Sequence, residues 1–317
     1  VSGRLPGDDI LKKFVALSRK KLFVLAPLVA AAAGGLTWYG LAERQFYAPE
    51  QLLRRLPADD AVLASVDFAA LRASGALAKL AGVASLEAEY RAFVDQTGFD
   101  YQQDLDGALL SFHPRGVYLL ARGRFAWNKL EAYAKSQGGT CFNRLCRLTG
   151  SRPERRISFF PLRRGLMALA VSDDGYAATR LNQPAAPPPF PVPGDPVWIH
   201  LTAGALRDPA RFPEGTRLFI KALDITEGVT FTLGAGSGGT FELRLEAPCR
   251  SAREAETLRG TLEKITSLLQ ALIRREGQQA SEADLSGVLT SGEFTLQDRT
   301  VRGRWRLTPQ FLEQLTK

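Results

Sequence analysis

The sequence is poor in the residues from which most active sites are made. Its 317 residues include two histidines, three cysteines and one methionine. A Ser-His-Asp triad would have to recruit His113 or His200, and no G-x-S-x-G elbow accompanies either. Cys249 has no histidine beside it in sequence and reads as a small packed residue ahead of a helix. Cys141 and Cys146, in "TCFNRLCRL", are too few for a metal site, so neither a metal nor a cofactor is expected. They read instead as a disulfide across a tight turn, formed in an oxidising compartment. "GAGSGG" (234–239) lacks the Lys-Ser/Thr of a phosphate loop and leads into a strand pattern, so it reads as a hairpin turn.

Charge is absent from Leu22 to Ala42, "LFVLAPLVAAAAGGLTWYGLA". As a helix this run would reach about 31 Å, the thickness of a bilayer core. Arg19, Lys20 and Lys21 precede it, and Trp38 and Tyr39 sit near its far end. The expectation is a basic cytoplasmic tail (1–21), an uncleaved transmembrane helix (22–42) and an exported remainder (43–317). A cleaved signal peptide ending near the alanines at 30–33 is the alternative, but the apolar run continues to Leu41. The tail holds six Lys/Arg against Asp8 and Asp9, so the net +8 of the chain leaves +8 − 4 = +4 for the remainder. That charge is spread thinly and argues against nucleic acid as a partner.

Beyond residue 43 the pattern alternates between strands and helices. A first α+β domain is expected over 43–181 and a second over 197–317. Between them "NQPAAPPPFPVPGDP" (182–196) reads as a proline-rich linker. Each half opens with a strand followed by "ALR" (70–72 and 205–207), then a hairpin, a helix and a second hairpin. The fold class expected is therefore α+β: a transmembrane helix and two tandem, duplicated domains, each an antiparallel sheet with helices on one face. Ser251 and Glu254 form a capping box for a long helix (251–276). Its leucine seam of Leu258, Leu262, Ile265, Leu269 and Leu272 suits either its own sheet or a homodimer.

Two patterns suggest binding. "TGFDYQQDLDGAL" (97–109) gathers Asp100, Asp104 and Asp106, but the ligand spacing of a calcium loop fails, since Gln102 and His113 fall where acidic ligands belong. A turn entering a strand is the reading that remains. Arginines are a different matter. Arg155, Arg156, Arg163 and Arg164 crowd one hairpin, and Arg302, Arg304 and Arg306 alternate along one strand face. They are candidate contacts for an anionic ligand or a protein partner. The competing reading is a solvated face neutralised by nearby carboxylates.

The segments "LPADDAVLASVDFAALRASG", "YRAFVDQTGFD", "RGRF" and "ERRISFFPLRRGLMALAVS" give the chain a resemblance to a bacterial group. That group comprises single-span membrane proteins of the domain-of-unknown-function type, with repeated α+β units outside the membrane. The resemblance implies the bacterial inner membrane and a periplasmic or extracellular body, and it brings no catalytic residues. The functional expectation is a non-enzymatic scaffold or interaction module of the cell envelope with an envelope protein as partner. A binding protein for a lipid or other apolar anion, or a hydrolase with a dispersed site, are the alternatives.

Overall fold

The computed structural model describes residues 47–80, 88–150, 154–185, 187–188, 190–236, 240–275, 280–281, 283–308 and 310–311. The chain divides into Val1–Gln51 and a compact unit from Leu52 onward. Within that unit, strands β1 (Val62–Val66), β2 (Leu105–His113), β3 (Gly116–Gly123), β4 (Thr140–Phe142), β5 (Leu145–Thr149), β6 (Arg156–Arg163) and β7 (Leu166–Ser172) come from the first half. Strands β8 (Val197–Thr202), β9 (Gly228–Ala235), β10 (Phe241–Pro248), β11 (Glu293–Gln297) and β12 (Thr300–Leu307) come from the second.

All twelve lie in one sheet, in the order β11-β12-β10-β9-β8-β1-β2-β3-β7-β6-β5-β4. Every pairing is antiparallel. The halves meet where β1 pairs with β8, from Val62 opposite Leu201 to Val66 opposite Val197. Each half runs outward from that seam as strand, hairpin, helix and hairpin, and the first half adds β4 and β5 at its outer edge.

This corrects the expected architecture. Two separate sheets would each leave the edge of its first strand with unpaired N–H and C=O groups. Joining β1 to β8 satisfies both edges, so the chain builds one sheet rather than two tandem domains. The expectation of a membrane helix is corrected too. Among the described residues no helix is long and apolar enough to cross a membrane. The longest, Ala252–Arg275, is studded with Arg, Lys and Glu and buries one face only. Residues 22–42, where the span was expected, lie outside the described residues.

Helices cover one face of the sheet. On the first half Leu130 and Ala134 of the Trp127–Ser136 helix pack with Phe159, Met167 and Leu169. On the second, Ala255, Leu258 and Leu262 of the long helix pack with Leu245, Val301 and Trp305. The helix starts where Ser251 Oγ accepts from the Glu254 N–H at 3.2 Å. Neighbouring residues on a strand point to opposite faces. Ser158, beside Phe159, therefore faces away from the helices, and its Oγ accepts from the Ala178 N–H at 3.1 Å. The turn Ala177–Asn182 thus covers the second face, together with the proline-rich segment, whose Phe190 ring lies on His200.

Candidate functional site

The helix-covered face of the second half does not close completely. A cavity of about 410 Å³ lies between the sheet and its helices. Ile199, Leu201, Phe231, Leu243, Leu245 and Trp305 form its floor. Phe219, Ile220 and Leu223 of the Arg217–Leu223 helix, Leu262 of the long helix, and Val288 and Leu289 of the Leu285–Thr290 helix form its roof and walls. Phe212, Pro213 and Leu285 complete the rim, where Ile199, Pro213 and Leu285 are exposed to solvent. Strand alternation puts this floor together, because Val229, Phe231 and Leu233 point one way while Thr230 and Thr232 point the other. Only Thr216 and the Trp305 indole add polar atoms to the lining. Trp305 Nε1 is buried without a hydrogen-bond partner. A Cβ on Gly292 would stand 2.6 Å from that nitrogen, so the indole requires glycine there.

A lining with almost no polar atoms hydrates poorly, since a bound water needs two to four polar partners. Engineered apolar cavities of ~150 Å³ stay dry and take up benzene. The cavity can therefore hold a larger apolar guest.

The arginines divide into two groups. Strand β12 lies beside β10, which sets Arg302 opposite Glu246, Arg304 opposite Arg244 and Arg306 opposite Glu242. Arg302 pairs with Glu246 at 3.3 Å, Arg304 with Glu293 at 2.7 Å, and Arg244 with Glu242 at 2.7 Å. This face carries both signs of charge. Arg155 and Arg156 sit at the start of β6 and Arg163 and Arg164 at its end. At ~3.3 Å per residue, the two pairs stand more than 20 Å apart. Arg156 lies beside Arg147, both flanking Gly175, while the second pair joins two other arginines. Arg163 and Arg164 line an open basin of about 810 Å³ with Arg124 and Arg144, two residues that the sequence pattern did not single out.

The remaining candidates have structural places. The disulfide Cys141–Cys146 ties β4 to β5. Asp100 caps the turn Tyr101–Asp104 by accepting from the Gln102 N–H at 3.0 Å. Its carboxylate also accepts from the Tyr90 hydroxyl at 2.9 Å, and burial first, then Asp100, pushes that phenol up to about 12. Asp104 pairs with Arg124 at 3.0 Å and Asp106 with Arg72 at 3.6 Å. His200 is buried in β8, and burial lowers its pKa to about 4. His113 accepts from the Arg115 N–H through Nδ1 at 3.1 Å in the β2–β3 turn. Cys249 is buried and its thiol is pushed up by that burial, the opposite of an activated nucleophile. Among the described residues no group of three His, Cys, Asp or Glu side chains is placed to hold a metal. In the long helix, Leu258 and Leu262 are buried and Ile265 and Leu269 pack beside them, while Leu268 and Leu272 stay exposed.

No family model matches the chain, and no curated protein matches it. Among solved structures it is similar to TP0453 in crystal form I, at 12% identity and a TM-score of 0.48, over 83% of this chain and 95% of that one. It is also similar to TP0453 in crystal form III, at 10% identity and a TM-score of 0.48, over 83% of this chain and 96% of that one.

Proposed function

We propose that this chain is a non-enzymatic binding protein of the extracytoplasmic side of the cell envelope, and that its cargo is a single apolar molecule of the acyl-chain type. The cavity of about 410 Å³ between the sheet and the helices of the second half carries this reading. It falls within the ~300–1,000 Å³ of ligand pockets, and its walls are almost wholly hydrocarbon. Such a lining recognises shape and apolar surface and has no means to select a reactive group. The Cys141–Cys146 disulfide supports an oxidising compartment.

Native mass spectrometry of the chain purified from a bacterial envelope fraction tests the reading. The expected result is one added mass, released by organic solvent and identified as an apolar molecule. Protein that is empty in every preparation counts against it. A second reading, an interaction module, rests on Leu268 and Leu272, which stand one turn apart and exposed on the long helix. Crosslinking from cysteines placed at these two positions would capture the partner or a second copy.

A further inference from the structure

The sheet has two edge strands, β4 and β11, and they are guarded unequally. Strand β4 is three residues long and is tied back to β5 by the Cys141–Cys146 disulfide. Strand β11 is five residues long, pairs with β12 in unbroken register, and holds no proline, no lysine and no bulge. Short strands, prolines, lysines and bulges are what keep sheet edges from pairing with other chains. Among the described residues nothing pairs with the outer side of β11. We propose that this edge is a dimer interface and that its partner is a second copy of the same chain, joined β11 to β11 about a two-fold axis. The proposal is independent of the cavity and its guest.

The sequence of β11, "EFTLQ", is complementary to itself. Gln297 and Thr300 close a two-residue hairpin loop, Asp298 and Arg299, and such a closing pair is hydrogen-bonded. Alternation then points the backbone groups of Glu293, Thr295 and Gln297 at β12 and those of Phe294 and Leu296 outward. A two-fold axis at Thr295 sets Phe294 opposite Leu296 of the second copy, and each such pair exchanges both of its N–H···O=C bonds. Thr295 meets its own counterpart in the closer, non-hydrogen-bonded position, and Glu293 meets Gln297, so no like charges are opposed. Phe294 and Leu296 share the helix-covered face, where Phe294 joins the core and Leu296 is 39% exposed. In the dimer the Phe294 ring of the second copy stands beside Leu296 and takes that apolar surface out of water. A two-fold contact of this kind consumes both β11 edges and stops at two copies.

Light scattering on the full chain over a concentration series tests the proposal, with twice the chain mass expected as concentration rises. Thr295→Glu is the decisive variant. Within one chain the new carboxylate stands opposite Arg302, so folding and thermal stability should hold. Between two chains it opposes its own copy, so the dissociation constant should rise at least about tenfold. Leu296→Pro removes an outward N–H without touching the β12 ladder and should weaken the dimer as well. Thr295→Cys should close a disulfide between copies under oxidised glutathione, because a non-hydrogen-bonded pair holds its Cα atoms about 4.5 Å apart. Gln297→Cys should not, since that position faces Glu293 of the second copy. The proposal is overturned if the full chain stays monomeric at every concentration, if Thr295→Glu dimerises like the parent, or if Gln297→Cys crosslinks as readily as Thr295→Cys.

Discussion

Phe190 of the proline-rich segment lies flat on the imidazole of His200, with ring centroids 3.6 Å apart and planes within 7° of parallel. The other side of the arrangement is polar, since His200 Nδ1 is 2.9 Å from Thr230 Oγ1. A segment that looks like a linker thus seals a buried histidine against the face of the sheet away from the cavity.

That seal makes the fold sensitive to acid. In the unfolded chain the imidazole binds a proton below its ordinary 6.5, but in the folded protein only below about 4. Between these values the unfolded state holds more protons, so stability falls as pH drops through the window, by on the order of 3 kcal/mol in total. His200→Gln keeps a polar partner for Thr230 and removes the titration. The urea midpoint of the parent should drop between neutral pH and pH 4 by clearly more than that of the variant. Equal drops would place the acid sensitivity elsewhere.

The single sheet predicts how fragments behave. Residues 197–317 alone would expose the edge of β8 that pairs with β1, and would lose Val62 from the core around the cavity. An uncovered edge of this kind pairs with another chain. Light scattering on the fragment should find dimers or aggregates, and a stable, cooperatively folding monomer would show that the seam is dispensable.

Pairing across β10–β12 predicts small effects. Arg304 and Glu293 meet at 2.7 Å with both side chains mostly exposed. Exposed pairs contribute ~0–1 kcal/mol, and screening reduces that further. Arg304→Ala should shift stability by less than about 1 kcal/mol, and the double variant with Glu293→Ala should show a coupling that fades in high salt. A coupling of several kcal/mol would mean that the pair belongs to a larger buried network.

Around the cavity, truncation and filling should part company. Leu245 is fully buried in the floor, and Leu245→Ala should cost ~2–5 kcal/mol because it enlarges a void. Leu289→Trp grows into space already present and should cost less than about 2 kcal/mol. Denaturant unfolding of both variants checks the order, and a larger loss for the tryptophan would mean that the space collapses in solution.

Local features of this fold are written locally. The turns at His113–Gly116 and Arg163–Gly165 announce themselves by proline and glycine, and Ser251 with Glu254 marks the start of the long helix. Alternation along "RTVRGRWRL" tells that Arg302, Arg304 and Arg306 share a face opposite Val301 and Trp305. Other facts depend on residues far apart in sequence. Nothing in β1 names β8 as its partner, so two sheets and one sheet look alike until the edges are joined. The carboxylates that neutralise the arginine row come from β10 and β11, and the four arginines of the basin come from three separate turns. Strands β4 and β5 are short and were legible only as a cysteine-bearing turn. A cavity is a place where side chains fail to meet, and the periodicity of leucines in its walls is the same as that of a filled core.

The proposed role of the space between the sheet and the helices is to take up an apolar molecule. Titration with N-phenyl-1-naphthylamine, a neutral fluorophore that the arginine basin does not attract, tests it most directly. The parent should bind one equivalent with enhanced fluorescence, Leu289→Trp should bind at least about tenfold more weakly, and Arg144→Gly should bind like the parent. Equal binding by the parent and Leu289→Trp, or no binding by the parent, would contradict the account.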